Sequence, residues 1–167
     1  MSQVNGVVIG VVKSVDDPQG EGRILVDFAS LPGRNRSFWA PVATLMAGGA
    51  RGAWFMPEID DEALVAFNHG DVDHPYIIGF LWNGQDRPPK IDPQIRLLRS
   101  VNGHEIEIYD PEVSQGDKGY IRIKDAHGNS IELANGRISI NSVSFIEIKA
   151  PQVVINGRPV ALAPGPI

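Results

Sequence analysis

The chain has 167 residues, 43% of them hydrophobic and 21% charged, with a formal net charge of −5. That composition is globular with room for one or two domains, and its acidic balance argues against a non-specific nucleic-acid binder, which needs a basic face. The absence of cysteine excludes a disulfide framework, a thiolate nucleophile and a thiolate metal site.

The N-terminus, Met1 to Gly6, lacks the basic region and apolar core of a Sec-type signal. Val4 to Val15 is a long apolar run with Gly6 and Gly10 set in it, which predicts a bent strand of barrel type. Asp16 to Gly22 is a turn, Arg23 to Phe28 a second strand, Leu31 to Arg36 another turn, and Ser37 to Leu45 a third strand. Gly48, Gly49 and Gly52 make a flexible connection in the place where a barrel of this size often holds a helix. Glu62 to Phe67 and Tyr76 to Trp82 supply strands four and five. Five strands in this span, the first long and bent, suit a small Greek-key barrel of the OB type. No apolar run approaches the roughly 20 residues of a membrane span.

Asn83 to Pro93 is dense in turn formers and prolines, and marks a domain boundary. Ile95 to Ser100 reads as a connecting strand, with a hairpin at Val101 to Gly103. Beyond it one short unit recurs: apolar, polar, apolar, then a polar or glycine corner. The apolar pairs are Ile121/Ile123, Ile131/Leu133, Ile138/Ile140, Ile146/Ile148 and Val153/Ile155, starting 10, 7, 8 and 7 residues apart, and Ile106/Ile108 has the same form. Period-two alternation of β-branched residues predicts short strands with one buried face. Corners such as Ala134-Asn-Gly136 and Asn156-Gly157 suit tight turns with positive φ. Two inward side chains per unit are too few for a sandwich core, so such units bury their face by stacking. The periodicity admits two architectures: an intertwined prism shared among identical chains, and an ordinary antiparallel meander. After Gly157 the tail to Ile167 holds three prolines and little charge, and is not expected to continue the ladder.

Candidate chemistry is sparse. His69-Gly-Asp-Val-Asp-His74 has the ligand density of a Zn or Ca site, but Gly-Asp is also turn chemistry, and a solvated hairpin loop is the preferred reading. Glu58, Asp60, Asp61 and Glu62 fall in one turn with no apolar pocket to separate their pKa values, against a glycosidase pair. His104 and His127 stand apart, no G-x-S-x-G frames a serine, and Gly48 to Gly52 lacks the Lys-Ser/Thr of a phosphate loop. Trp39, Trp54 and Trp82 could stack bases in an OB groove, but the acidic charge favours barrel core or a subunit interface. No catalytic, cofactor or metal residue is expected.

Trp54 to Asp71 and His74 to Gly84 resemble the OB-domain signature of contractile-injection spikes, the phage baseplate assembly protein V family and the valine-glycine repeat (VgrG) spikes of type VI secretion. That signature has a Pro, an acidic turn, an E-x-L-V-x-F strand, a Gly-Asp turn, a Pro, and a strand ending in G-x-L-x-N. It is met here at Pro57, Glu62, Leu64, Val65, Phe67, Gly70, Asp71, Pro75, Gly79, Leu81 and Asn83. Arg99 to Ile108 looks like the neck that leads into the family's β-prism. The resemblance runs from about residue 4 to 157. The sequence departs from the family in having a short needle with no long valine-glycine array, no large fused hub domain and no lysozyme insertion.

The resulting expectation is an all-β chain: an OB-type barrel over 1–85, a linker or neck over 86–100, an intertwined trimeric β-helix or β-prism over 101–157, and an apolar tip over 158–167. The resemblance implies a non-enzymatic homotrimeric spike, docked on a separate baseplate hub protein and puncturing a target membrane. It would assemble in the bacterial cytoplasm as part of a tail-like particle and act at or outside the cell envelope. The trimer core would comprise Ile121, Ile123, Ile131, Leu133, Ile138, Ile140, Ile146, Ile148, Val153 and Ile155. Val160, Leu162 and Ile167 would dock a tip protein of the PAAR-repeat cone type. The alternative is an OB-fold binding module for oligosaccharide or single-stranded nucleic acid.

Overall fold

A computed structural model describes residues 4–28, 37–112 and 116–160. The turn expected over 31–36 and the tip residues Leu162 and Ile167 lie outside the described residues. The chain divides into two units, Met1–Pro88 and Pro89–Ile167.

The first unit is a curled antiparallel sheet. Its strands are β1 (Val7–Ser14), β2 (Ile24–Asp27), β3 (Ser37–Ala40), β6 (Glu62–Phe67) and β7 (Pro75–Leu81), in the order β3-β2-β1-β6-β7. A parallel bridge between Val42 and Ile77 joins the two edges: the Ile77 N–H donates to the Pro41 carbonyl and Ala43 to that of Ile77. Three strands in meander, a fourth beside the first and a fifth closing in parallel on the third are OB topology. Alternation in β6 turns Ala63, Val65 and Phe67 inward, and β2 does the same with Ile24 and Val26. They pack with Val12, Phe28, Ala40, Val72 and Ile77 into one core. Phe28 meets Phe67 edge-on at 5.5 Å between ring centroids. Its ring also lies over Gly10, where a Cβ would sit 3.0 Å from Phe28 Cε1, so a side chain at this position in β1 would press on the ring.

Three expectations for this unit change. Strand one begins at Val7 and strand three ends at Ala40. The glycine-rich connection is a two-stranded hairpin of β4 (Ala47–Gly48) and β5 (Arg51–Gly52). Gly52 is required there, because a Cβ would stand 2.5 Å from the Met46 carbonyl oxygen.

The second unit contains a five-stranded antiparallel sheet: β8 (Ile95–Arg99), β9 (Glu105–Tyr109), β10 (Tyr120–Lys124), β11 (Ser130–Ala134) and β12 (Arg137–Asn141), in chain order. Within one chain, then, β8 to β12 form a meander rather than a prism, because each strand pairs antiparallel with its predecessor in sequence. Asn135 (φ 49) and Gly136 (φ 74) are the two left-handed residues between β11 and β12, as a two-residue hairpin requires. Ile95–Arg99, expected as a connecting strand, is a strand and is the first of this sheet. Ile146 and Ile148, expected in a strand, carry none. The ladder ends at β12, and a separate small hairpin of β13 (Val154–Ile155) and β14 (Arg158–Pro159) follows, turning at Asn156 (φ 52) and Gly157 (φ 76). Arg158–Pro159 thus pairs back on Val154–Ile155 in a ribbon of its own and does not extend the five-stranded ladder. Its Pro159 sits on the outer strand of a two-stranded ribbon, where the missing N–H costs no ladder bond.

Candidate interaction surfaces

The register of the second sheet sorts its side chains into two unlike faces. Across one row, Leu98, Ile106, Ile123, Ile131 and Ile140 stand opposite one another; in the next, Ile108, Ile121, Leu133 and Ile138 do. The structure thus brings six of the ten expected core residues together on one face, and adds Leu98, Ile106 and Ile108. None of the nine is covered: their exposures run from 40% at Ile108 to 69% at Ile138. Every residue of the buried apolar core lies at or before Ile77, so among the described residues this sheet has no apolar core of its own. Ile146, Ile148 and Ile155 are also exposed, outside the grid.

The opposite face is polar and closed. Arg122 donates through Nη2 and Nε to Glu132, at 2.7 and 2.9 Å. It lies 4.2 Å over the Tyr120 ring and 3.7 Å from Glu107. The Tyr120 hydroxyl donates to Glu107 at 2.7 Å, and Lys90 approaches the other carboxylate oxygen at 3.5 Å. Arg137 reaches Glu132 at 3.6 Å. Glu107 is 4% exposed. The Tyr120 hydrogen bond, aided by the charges of Lys90 and Arg122, holds its carboxyl below the usual range against the opposing effect of burial. The same bond raises the Tyr120 phenol. A charged group can be buried only when paired in this way.

The barrel carries a second apolar surface. A groove of about 1040 Å³ is lined by Val42, Leu45, Met46, Trp54, Phe55 and Phe80, with Glu21 and Arg51 as its charged residues. Leu45 is 96% and Trp54 70% exposed, so Trp54 is surface rather than core, as is Trp82, while Trp39 is half-buried. One face of Trp54 rests on Gly22, where a Cβ would be 2.7 Å from the indole. Gly22 is held by a rigid turn. The Asp17 carboxylate accepts from the backbone N–H groups of Gln19, Glu21 and Arg23 and from the Arg23 guanidinium, which keeps the Asp17 carboxyl well below the usual carboxylate range. Sequence pattern did not reveal the groove, because its residues come from a turn, a glycine-rich hairpin and a strand end. The barrel is also where the charge resides: residues 1–88 hold six Lys/Arg against eleven Asp/Glu, while residues 89–167 balance nine against nine.

Between Asn68 and His74 the chain makes a 3₁₀ turn, with the His74 ring nitrogen 2.9 Å from Asp71. No group of three or more potential metal ligands is gathered among the described residues. The acidic turn at 58–61 is solvated, its Asp61 capping the Glu58 N–H and its Asp60 paired with Lys13 at 2.9 Å. No helix is long and apolar enough to cross a membrane among the described residues.

The closed five-strand curl with its exposed rim groove defines the first unit as an OB-type domain. Residues 8–82 match the type VI secretion system/phage-baseplate injector OB domain. The chain is 30% identical over 105 residues to the type VI secretion system spike protein VgrG2a of Pseudomonas aeruginosa, covering 56% of this chain and 12% of that one. It is 30% identical over 105 residues to VgrG2b of the same organism, covering 56% and 10%. With VgrG3 of Vibrio cholerae it shares 33% over 98 residues, covering 52% and 9%. The match spans about a tenth of the length of these relatives, all of them spike proteins.

Proposed function

We propose that the chain is the central spike of a contractile injection machine, non-enzymatic and homotrimeric. The observation that carries this reading is the nine-residue apolar grid left uncovered on a sheet with no apolar core. Burying apolar surface is the main source of folding free energy, and a sheet that offers one open apolar face and one closed ionic face is stable only when the open face is covered. Three copies facing inward would cover it mutually and present the Glu107–Arg122–Glu132 network outward. Interlocked copies resist unfolding under load, which suits a part that is driven through a membrane.

In this reading the barrels dock on a separate hub protein, and the Trp54 groove is the surface assigned to it. A PAAR-type protein caps the β13–β14 end. The particle assembles in the bacterial cytoplasm and acts at or beyond the envelope. The OB-module alternative draws support from the groove alone, where the exposed Trp54 face could stack a base or a sugar ring; the net negative charge of the barrel counts against nucleic acid.

Light scattering on the purified chain tests the proposal: we expect about three times the 18.1 kDa of one chain. A stable monomer with both sheets intact would overturn it.

A further inference from the structure

Asparagine followed by glycine occurs five times in the chain, at Asn5, Asn83, Asn102, Asn135 and Asn156. The pair is reactive because glycine, with no side chain, leaves its backbone nitrogen free to approach the asparagine carboxamide. That nitrogen attacks Cγ. The new N–Cγ bond closes a succinimide ring, the Cγ–Nδ2 bond breaks, and ammonia leaves with the proton from the backbone nitrogen. Water then adds to either ring carbonyl and opens it, to aspartate or to isoaspartate. The amide and water become a carboxylate and ammonium, and nothing is oxidised or reduced. The reaction is blocked where hydrogen bonds hold the carboxamide or the glycine N–H, and where the backbone is fixed away from the geometry of attack.

Four of the five pairs are blocked. Asn83 Oδ1 accepts from the Gln85 and Asp86 N–H groups at 2.8 and 2.7 Å, and its Nδ2 donates to Asp86 at 3.1 Å. After Asn102 the attacking group is engaged, because the Gly103 N–H donates to the Ser100 carbonyl at 2.9 Å. Asn135 (φ 49) and Asn156 (φ 52) are left-handed, in hairpins closed by the Ala134–Arg137 and Ile155–Arg158 pairs. Their backbones cannot swing to the geometry of attack until the hairpin opens. Asn5 differs on every count. It is exposed, it is not left-handed, and it lies ahead of β1. Among the described residues neither its side chain nor the Gly6 N–H has a hydrogen-bond partner. A Cβ built on Gly6 would meet nothing within 4 Å, so water reaches the reacting atoms.

We infer that Asn5 is a self-modification site, converted to isoaspartate in the folded protein while the other four pairs are held. What depends on it is the anchor ahead of β1. The Val4 N–H donates to the Gly70 carbonyl at 3.0 Å, and Val4 packs on the barrel core. The Asn5–Gly6 link keeps that anchor in step with Val7, which stands opposite Ala66. Isoaspartate runs the main chain through the former side-chain carbon, which adds a methylene to the link, and it adds a negative charge to an already acidic unit. Conversion therefore releases Val4 from Gly70.

The test incubates the full chain at neutral pH and maps its peptides over time. Mass spectrometry follows the change from amide to carboxyl, and an isoaspartyl methyltransferase marks isoaspartate. We expect Asn5 to convert at least ~10-fold faster than Asn83, whose three hydrogen bonds must break first. In urea the rates at the five pairs should draw together. Asp86→Ala, which removes one partner of Asn83, should speed conversion there and leave Asn5 unchanged. In the converted chain the Val4 amide should exchange faster with solvent. Asn5→Gln should keep Val4 protected through the same incubation, and so should freshly purified Asn5→Asp, which has the charge without the methylene. Conversion first at another pair, or equal rates at all five in the folded chain, overturns the inference. Conversion at Asn5 with Val4 exchange unchanged overturns the release of the anchor.

Discussion

Tyr120 on β10 donates a 2.7 Å hydrogen bond to Glu107 on β9, two residues along from the residue directly opposite it, Tyr109. The bond closes the polar face of the second sheet from within. Tyr120→Phe would leave a 4%-exposed carboxylate short of a donor, and losing one partner of a buried polar group costs about 1–3 kcal/mol. Denaturant unfolding followed by circular dichroism should show that loss with no change in oligomeric mass. A variant as stable as wild type would mean that water replaces the hydroxyl.

The same pair sets a pH window. The Glu107 carboxyl is lowered from its ordinary value of 4.5, so its contribution is fully present above that value and is lost as pH falls through the lower folded value. The Tyr120 phenol is raised from 10.0, so its contribution is present below that value and is lost as pH rises through the higher one. Stability of the second sheet should be nearly flat between about pH 5 and pH 9 with respect to this pair. In Glu107→Gln the acid limb should flatten, which melting curves across pH would reveal. An unchanged acid limb would assign it to other carboxylates, Asp17 in the barrel first among them.

The two faces predict opposite outcomes for neighbouring positions. Ile123→Asp puts a carboxylate at the middle of the apolar grid, where burial without a partner costs several kcal/mol per chain. It should abolish the trimer. Lys124→Ala, one residue on and facing the other way, should leave it intact within about 0.5 kcal/mol. Light scattering and melting of both variants check this. Equal behaviour of the two would show that the grid is not the covered face.

This sidedness was legible because period two is absolute within a strand: Ile121 and Ile123 face one way, Arg122 the other, whatever the sheet packs on. The barrel was legible for the same reason at Ala63, Val65 and Phe67. What periodicity could not show is which strands neighbour which. A meander and a prism place the same residues on the same face. Leu98 was missed because its strand has one grid residue, not two. The groove was missed because Gly22 and Trp54 meet across more than thirty residues of sequence.

That contact is testable. Gly22 has φ +73 and a Cβ there would stand 2.7 and 2.9 Å from two indole carbons. Gly22→Ala therefore strains the backbone by roughly 1 kcal/mol and pushes Trp54 off its platform. We expect a lower melting temperature and a red-shifted tryptophan emission for the barrel. Adding Trp54→Ala should restore the part of the loss that comes from the clash and leave the backbone part. If the double variant is no more stable than Gly22→Ala, the indole does not rest on this turn in solution.

The far end of the chain makes the remaining prediction. The β13–β14 hairpin returns the chain so that the Val160 N–H donates to the Val153 carbonyl at 2.7 Å, and Val154, Ile155 and Val160 are left exposed. The residues after it, through Leu162 to Ile167, are uncharged. Three such ends would make a blunt apolar platform, and an apolar platform at the tip of a needle is a docking face or a liability for aggregation. We expect a PAAR-type protein encoded nearby to co-purify with the full-length chain. Truncation after Asn156 removes β14, breaks the Val160–Val153 bond and takes away the apolar tail, but leaves the grid and its sheet whole. The truncated chain should therefore keep the oligomeric mass of the full chain and lose the tip protein. Equal recovery of that protein with both chains would refute docking through this end, and loss of the trimer on truncation would show instead that the hairpin holds the copies together.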